Sequence, residues 1–454
     1  MVKNTDSNQK LSEILIWILM FILSIIFGLM EISHGILSSC VIEIKQELKT
    51  SDKEFGLFGT FEGLGSCLGS FAFTLIIERV NHKYLICTML LINCISHFSF
   101  FFGLKYPILL ISRFLSGFAL VFSYLYFPMW VDTFAMKTWV NFMQTFVLFT
   151  NRIGSILGYF FFLLFGGNQW KYGFLFESIT VSFLVFFMLL IPFEYYDKNY
   201  KNPDYIKDDN FPEKEEIPLS FPKIQDQETI MKDIICNIPF ILISLYRGNK
   251  LFINIAIGFW YSDYLQTTLM EKNLNIIFWS YSISIVISSI FGILLGGVII
   301  YFIGGTHSKH SYVTMTILQF ISLIFGFSSS FTHSVLIFSI LLSLYVLHNS
   351  ASGLIAVSAS FEVMPKTLKG TAVGIYSIIV DLTGFLPASY SYVIIKDLVG
   401  GNYIIAVLML YGLIGCAELF IADIYMRIKK IKLYKEEIIN KRMEIETELD
   451  NIII

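Results

Sequence analysis

The chain has 454 residues and a formal net charge of −3; 55% of the residues are hydrophobic and 15% charged, with a mean hydropathy of +0.68. Soluble domains carry about 25% charged residues, so this composition excludes an ordinary water-soluble globule, and the near-neutral balance offers no basic surface for nucleic acid. The six cysteines form no CxxC pair and most lie in or near apolar runs, which argues against a metal centre or a disulfide framework.

A helix needs about 20 apolar residues to cross the hydrocarbon core, and only helices or closed barrels satisfy their backbone there. About twelve such stretches recur along the chain. The opening MVKNTDSNQK is polar, and the apolar run after it is too long for a signal-peptide core and lacks a small-residue cleavage site, so it reads as a retained span. The first six spans are expected at Ile14–Ser38, Glu54–Ile77, Tyr84–Phe102, Pro107–Trp130, Val140–Phe165 and Tyr172–Phe193. From Glu194 to about Asn237 the chain holds KNPDYIKDDNFPEKEE, whose charge and proline mark a solvated linker. The second six are expected at Ile238–Leu269, Ile276–Phe302, Tyr312–Ser329, Ser334–Ser358, Thr371–Ile395 and Tyr403–Met426. The seventh has two readings. One long tilted helix puts Arg247 and Lys250 inside the membrane, whereas a short amphipathic helix followed by a span from Leu251 leaves them at its surface. The tail from Arg427 carries seven basic and six acidic residues and is expected as a surface helix.

This pattern is that of an all-α membrane protein with twelve transmembrane helices in two pseudo-symmetric six-helix bundles, the layout of a two-bundle solute carrier. It divides the chain into an N-terminal segment (1–11), a first bundle (12–193), a charged linker (194–238), a second bundle (239–427) and a tail (428–454). With the N-terminus cytoplasmic, the inner loops and termini hold 15 Lys and Arg residues against seven in the outer loops. The positive-inside rule therefore places both termini and the linker in the cytoplasm. Which membrane is not legible; a plasma membrane and an endolysosomal or vacuolar membrane both fit.

Ionisable side chains inside a bilayer are costly and face a cavity or a partner, so a short set of them is informative. Glu31 and His34 fall in the first span, Glu62 in the second and Arg113 in the fourth. At about 1.5 Å per residue, Glu31, Glu62 and Arg113 all lie about 10 Å from the same membrane face. They form either a proton-coupling network, in which His34 is a relay, or a permanently paired structural bridge. Arg152 is about 18 Å into the fifth span, near the midplane where substrate sites of such carriers lie. Its planar fork suits a carboxylate or phosphate, and Arg113 points the same way, towards a ligand with an acidic group. Asp263 in the seventh span and Asp381 in the eleventh are further substrate or proton candidates, and Trp260 is a candidate cavity lining. At bundle ends, Glu78, Arg79 and Lys83 and, in the second half, Glu362 either latch one face shut or form a solvated positive loop. GxxxxGK[ST], HExxH and TVGYG motifs are absent, so ATP hydrolysis, a zinc-protease site and a K⁺ filter have no support. No enzyme activity and no cofactor are implied.

Thr74-Leu-Ile-Ile-Glu78-Arg79-Val-Asn-His82-Lys83 resembles the loop signature of the major facilitator superfamily, with Thr74 and Asn81 in place of its glycines. Arg113-Phe-Leu-Ser-Gly117 and Gly154-x-x-x-Gly158 match its fourth and fifth spans. Within that superfamily VIEIKQELKTSDKEFGLFGTFEGLGSCLGS, Arg79-Val-Asn-His-Lys-Tyr-Leu and Asn237-Ile-Pro239 with Trp260 resemble the Spinster-like branch. Leu120 and Ile32 depart from it, standing where that branch usually has a glutamate and a basic residue. The resemblance implies the major facilitator fold, alternating access, proton symport and a gating role for Glu78, Arg79 and Lys83. It makes a lysophospholipid or similar amphiphile the first substrate class, with small organic anions and amino acids next and a sugar less favoured. A uniporter or a ligand sensor without flux is the alternative. Membrane lipid and a small-molecule substrate are the expected partners, and the chain is expected to act as a monomer.

Overall fold

The computed structural model describes residues 2–77, 79–135, 139–166, 169–197, 234, 236–305, 310–363 and 369–453. Glu78, the Glu362 side chain and most of the charged linker lie outside the described residues. The first half consists of α1 (Val2–Leu29), α2 (Ile32–Ser39), α3 (Val41–Leu48), α4 (Asp52–Ile76), α5 (His82–Phe101), α6 (Tyr106–Phe134), α7 (Val140–Phe165) and α8 (Trp170–Leu190). The second half consists of α9 (Ile238–Phe259), α10 (Tyr261–Thr267), α11 (Leu274–Tyr281), α12 (Ser288–Phe302), α13 (Ser311–Ser329), α14 (Val335–Glu362), α15 (Lys369–Val380), α16 (Leu386–Val399) and α17 (Ile404–Ile453).

Among the described residues ten helices are long and apolar enough to cross a membrane. The other two expected spans, α4 with 25 residues and α7 with 26, match in length; the glycines and polar residues of α4 lower its hydropathy, and α7 is an apolar helix over Phe149–Phe165. The burial pattern is inverted relative to a soluble protein. Ile95, Phe183, Phe291 and Leu336 are exposed on the rim, whereas Glu62, His97, Arg113 and Glu177 are buried inside. Lipid solvates the former and cannot solvate the latter, so the chain is an integral multi-pass membrane protein.

Local sequence accounts for the helix ends that matter. Ser51 and Glu54 form a capping box at the start of α4. Asn237 caps α9 by accepting a hydrogen bond from the Phe240 amide at 3.4 Å, and Pro239 sits in its first turn. Thus α9 is one helix from Ile238, and Arg247 and Lys250 lie within it. The tail is not a separate surface helix, because α17 runs without a break from Ile404 to Ile453. Four spans are interrupted: the first around Glu31, the seventh at Trp260, the eighth by a π-helical segment at Ser282–Ile287 and the eleventh by another at Asp381–Phe385. Such π segments often mark functional sites.

The two halves repeat one packing scheme. The second span packs on the fourth and the eighth on the tenth; the third packs on the sixth and the ninth on the twelfth; the first packs on the fifth and the seventh on the eleventh. Bare backbone permits the tightest of these contacts. A Cβ at Gly117 of α6 would strike the Glu62 carbonyl of α4, and one at Gly65 of α4 would strike the Phe114 carbonyl of α6. Gly154 and Gly158 of α7 likewise abut the backbone at Gly28 and Gly35 in the first span. The bundles meet along α4 against α15 and α16, and again where α7 meets α11 and the following π turn.

Gly117→Val therefore forces α6 away from α4. Overpacking of this kind costs about 1–3 kcal/mol. The expected outcome is a lower melting temperature in detergent than for the exposed-position control Leu115→Val; an unchanged melting temperature refutes the close approach.

Candidate functional site

A cavity of about 330 Å³ lies between the bundles. Its walls differ in chemistry. Among the described residues the first bundle contributes polar groups: Glu31, His34, Ser38, Glu62, Asn151, Arg152 and Ser155. The second contributes a mainly apolar surface that includes Leu251, Ile255, Ile285, Ile293, Leu354 and Phe385, broken by Arg247, Asn254 and Asn349.

Glu31 sits at the break of the first span, where its carboxylate faces α6 and α7 rather than a cation. It accepts hydrogen bonds from the Tyr124 hydroxyl, from Asn151 Nδ2 at 2.9 Å and from Ser155 Oγ at 3.4 Å. Glu62 pairs directly with Arg113, and its other oxygen lies 3.3 Å from His34 Nε2. Arg113 and Gly117 are one turn apart on α6, so the same face that approaches α4 closely also delivers the guanidinium to Glu62. Arg113 is fully buried and does not line the cavity. Behind it, His97 Nδ1 lies 2.9 Å from a Glu177 oxygen and His97 Nε2 lies 3.0 Å from Ser116 Oγ.

Arg152 is exposed on the cavity wall and makes no ion pair among the described residues. Arg247 faces it from the second bundle, also without an ion pair. Asp381 is buried in the seam between bundles, accepting hydrogen bonds from Ser66 at 2.8 Å and Ser70 at 3.3 Å of α4 and from its own-helix neighbour Ser377 at 3.4 Å.

Asp263 and Trp260 lie away from the cavity, in a plug on the face remote from the termini. Asp263 is fully buried between Lys45 Nζ at 3.2 Å and Lys396 Nζ at 2.7 Å. Both lysines also reach Asp52, at 2.6 and 3.4 Å. Lys45 and Asp52 belong to the first half, Asp263 and Lys396 to the second, so the four alternate in a ring that ties the bundles together. Lys53 and Asp397 add a pair at 2.9 Å. Below the ring, the Trp260 indole stacks on Tyr392 at 5.6 Å and donates to the Ser389 carbonyl at 2.9 Å. Tyr159 stacks on Tyr281 at 3.7 Å, its hydroxyl lies 2.6 Å from Ser38 Oγ, and Ser38 donates to the Gly258 carbonyl across the interface. The cavity lies on the terminal side of this plug.

The loop charges are placed differently. Arg79 is exposed, and Lys83 is buried within its own bundle, donating to the Leu189 and Ile191 carbonyls at 2.8 and 2.7 Å. A lysine there satisfies orphan carbonyls at the end of α8. Asp263, expected as a substrate or proton site, instead holds the ring together, while Lys45, Asp52 and Lys396 are absent from the sequence-derived candidates, since in the sequence they lie at or beyond the ends of the expected spans. Arg247 was detectable through the start of α9, which Asn237 and Pro239 signal.

A sequence profile of the Major Facilitator Superfamily matches residues 14–388. No curated protein sequence matches the chain. Among solved structures, it is similar to a bacterial homologue of the human lysosomal transporter Spinster in an inward-facing, unoccupied conformation, with a TM-score of 0.72, 13% identity, and 90% of this chain and 97% of that one covered. It is also similar to the xylose transporter XylE from E. coli in an inward-open conformation, with a TM-score of 0.67, 13% identity and coverage of 89% and 95%. The nucleoside transporter NupG follows with a TM-score of 0.65, 13% identity and coverage of 89% and 99%. At these identities the likeness is one of fold.

Two outcomes test the charge assignments. Arg113→Leu strands the buried Glu62 carboxylate and costs about 3–5 kcal/mol, whereas Arg113→Leu with Glu62→Leu recovers most of it; thermal melts of the three proteins in detergent decide. Asp263→Asn leaves Lys45 and Lys396 facing each other, and the open-to-closed ratio at that face rises by about tenfold or more. Spin labels at Lys49 and Lys272 report the change, and an unaltered distance distribution refutes the ring's closing role.

Proposed function

The chain belongs to the Major Facilitator Superfamily, and from that premise we propose that it is a secondary active transporter working by alternating access, proton-coupled, for an anionic amphiphile of the lysophospholipid kind or a small organic anion. The single observation that carries this reading is the two-sided cavity: among the described residues one wall is polar, with Arg152 in no ion pair, and the other is largely apolar. An amphiphile satisfies both walls, its acidic head on the first bundle and its chain on the second. A sugar, polar all round, leaves the Leu251, Ile255 and Ile285 side unsatisfied.

The ring of Lys45, Asp52, Asp263 and Lys396 and the Tyr159–Tyr281 stack close one face while the cavity lies on the other side of them, the arrangement alternating access requires. Breaking them and closing the terminal face returns the cavity to the opposite side. The gating role expected of Glu78, Arg79, Lys83 and Glu362 is kept for Arg79, which is exposed, since Lys83 is engaged within its own bundle. With both termini cytoplasmic, this conformation faces inward.

Substrate contact is assigned to Arg152, with Arg113 acting only through Glu62. Asp381 serves the seam, where its serine partners on α4 let the two bundles slide. Proton coupling is assigned to Glu31, which lines the cavity and whose partners among the described residues are neutral hydrogen-bond donors. Glu62 is neutralised by Arg113, and His34 is the shuttle between Glu62 and the cavity.

Reconstituted proteoliposomes given a mixed pool of lysolipids and organic anions test the reading. Uptake is expected to be driven by an inward proton gradient. Arg152→Ala is expected to cut it at least tenfold, and Glu31→Gln to abolish the gradient's effect while exchange persists. Binding without flux makes the protein a sensor, and flux indifferent to the gradient makes it a uniporter.

A further inference from the structure

One cationic group in the second bundle has no role in this account. Lys250, one turn beyond Arg247 on α9, is fully buried in a membrane-spanning helix, and no carboxylate pairs with it among the described residues. Its Nζ donates to the Asn349 carbonyl and to Ser352 Oγ at 2.7 Å, both on α14. Two acceptors satisfy the two N–H groups of a neutral amine and leave the third proton of an ammonium without a partner. An isolated ammonium is expensive in this environment. Lys250 is therefore built to be neutral until an anion arrives.

The neighbouring geometry provides the place. Gly353 of α14 lines the cavity, and a Cβ there would come within 2.7 Å of Arg247 Nη1 and 3.1 Å of Lys250 Nζ. Glycine in a helix interior costs roughly 1 kcal/mol relative to alanine. Here its missing side chain leaves Arg247 Nη1 at the cavity wall and Lys250 Nζ just behind it, separated from the cavity by the bare Gly353 backbone alone. Around Lys250 the Tyr246 ring offers a cation–π contact, and no carboxylate reaches its Nζ among the described residues. Arg247 on its own helix is a like charge, Tyr246 lies beneath the ammonium at 5.3 Å, and Tyr376 of α15 faces Arg247. From α17, Cys416 is a thiol near Lys250, and Glu418 acts on Tyr246 and Tyr411 with one oxygen unpartnered. Asp381, in the π segment packed on α9, is engaged by serines.

We propose that Arg247, Lys250 and the bare backbone at Gly353 form an oxyanion subsite on the wall of the second bundle, and that Lys250 takes up a proton when the anionic group of the substrate enters. The proposal rests on the anionic-substrate reading and adds to it a second, substrate-linked proton beside that of Glu31. The ligand chemistry is a sulfate, phosphate or carboxylate head: Arg247 supplies a planar fork and Lys250 a point charge. Anion and proton then cross together, because losing the anion expels the proton from a site that cannot solvate it.

The test uses the full chain in nanodiscs and n-hexyl sulfate, a probe whose own charge does not titrate. Calorimetry in buffers of differing ionisation enthalpy counts protons at about pH 8. Wild type is expected to take up at least about one proton per probe bound. Lys250→Arg, permanently charged, is expected to bind within about threefold of wild type and to take up about one proton fewer. Gly353→Ala is expected to lose about tenfold in affinity, since its methyl screens both nitrogens. Should Lys250→Arg not fold, Lys250→Gln replaces it, with affinity that no longer falls about tenfold per pH unit at alkaline pH. Proton uptake in Lys250→Arg equal to that of wild type, or a wild-type pH slope in Lys250→Gln, overturns the proposal and leaves the anionic-substrate reading standing. Binding of n-hexyl glucoside without n-hexyl sulfate overturns both.

Discussion

A charge removed from water must be met by another charge or by a full set of hydrogen bonds, and inside a bilayer nothing else is available. The arrangement of this protein follows from how each buried charge meets that demand. Glu62 and Arg113 neutralise each other inside the first bundle, and the helix contact that brings them together exists because Gly117 lets α6 approach the α4 backbone. Asp263 is met twice, by Lys45 from one half of the chain and Lys396 from the other, so its burial depends on the bundles being closed at that face. Charge compensation there is also the closure of the cavity.

What remains after that accounting lies in and beside the cavity. Arg152, Arg247 and Lys250 carry no counter-charge among the described residues, and Glu31 is held by neutral donors alone. Arg152 and Arg247 are guanidinium groups without a carboxylate among the described residues, one on each wall of the cavity. The same reasoning separates Arg113 from Arg152, two arginines that look alike in the sequence. One is spent on a carboxylate in the core, and the other faces open space.

The helix packing repeats between halves, yet the chemistry of the two walls does not. Equivalent helix pairs build both bundles, but polar residues line one side of the cavity and chiefly apolar residues the other. The interruptions cluster at this interface: the break at Glu31, the turn at Trp260, and the π segments beginning at Ser282 and Asp381. At one of them a polar group crosses to the other bundle, the Asp381 carboxylate accepting from Ser66 and Ser70 of α4.

The all-α membrane class, the division into two halves and the identity of the in-span charges were legible from the amino-acid order, because hydropathy and helix length are local and the bilayer makes them decisive. So was the pairing potential of Arg113 and Glu62, which share one depth. The start of the seventh span, by contrast, stood between two readings until the structure showed α9 as one helix from Ile238. Which charge meets which was not legible. Depth along a helix leaves its rotation free, so Glu31 and Glu62 look equivalent until packing turns one towards Arg113 and the other towards Asn151. Nor does any local signal link Lys45 to Asp263 or Lys396, residues more than two hundred and three hundred positions further along the chain. Those meetings exist only once the two bundles are docked, and docking is set by long-range packing of small residues rather than by local sequence pattern.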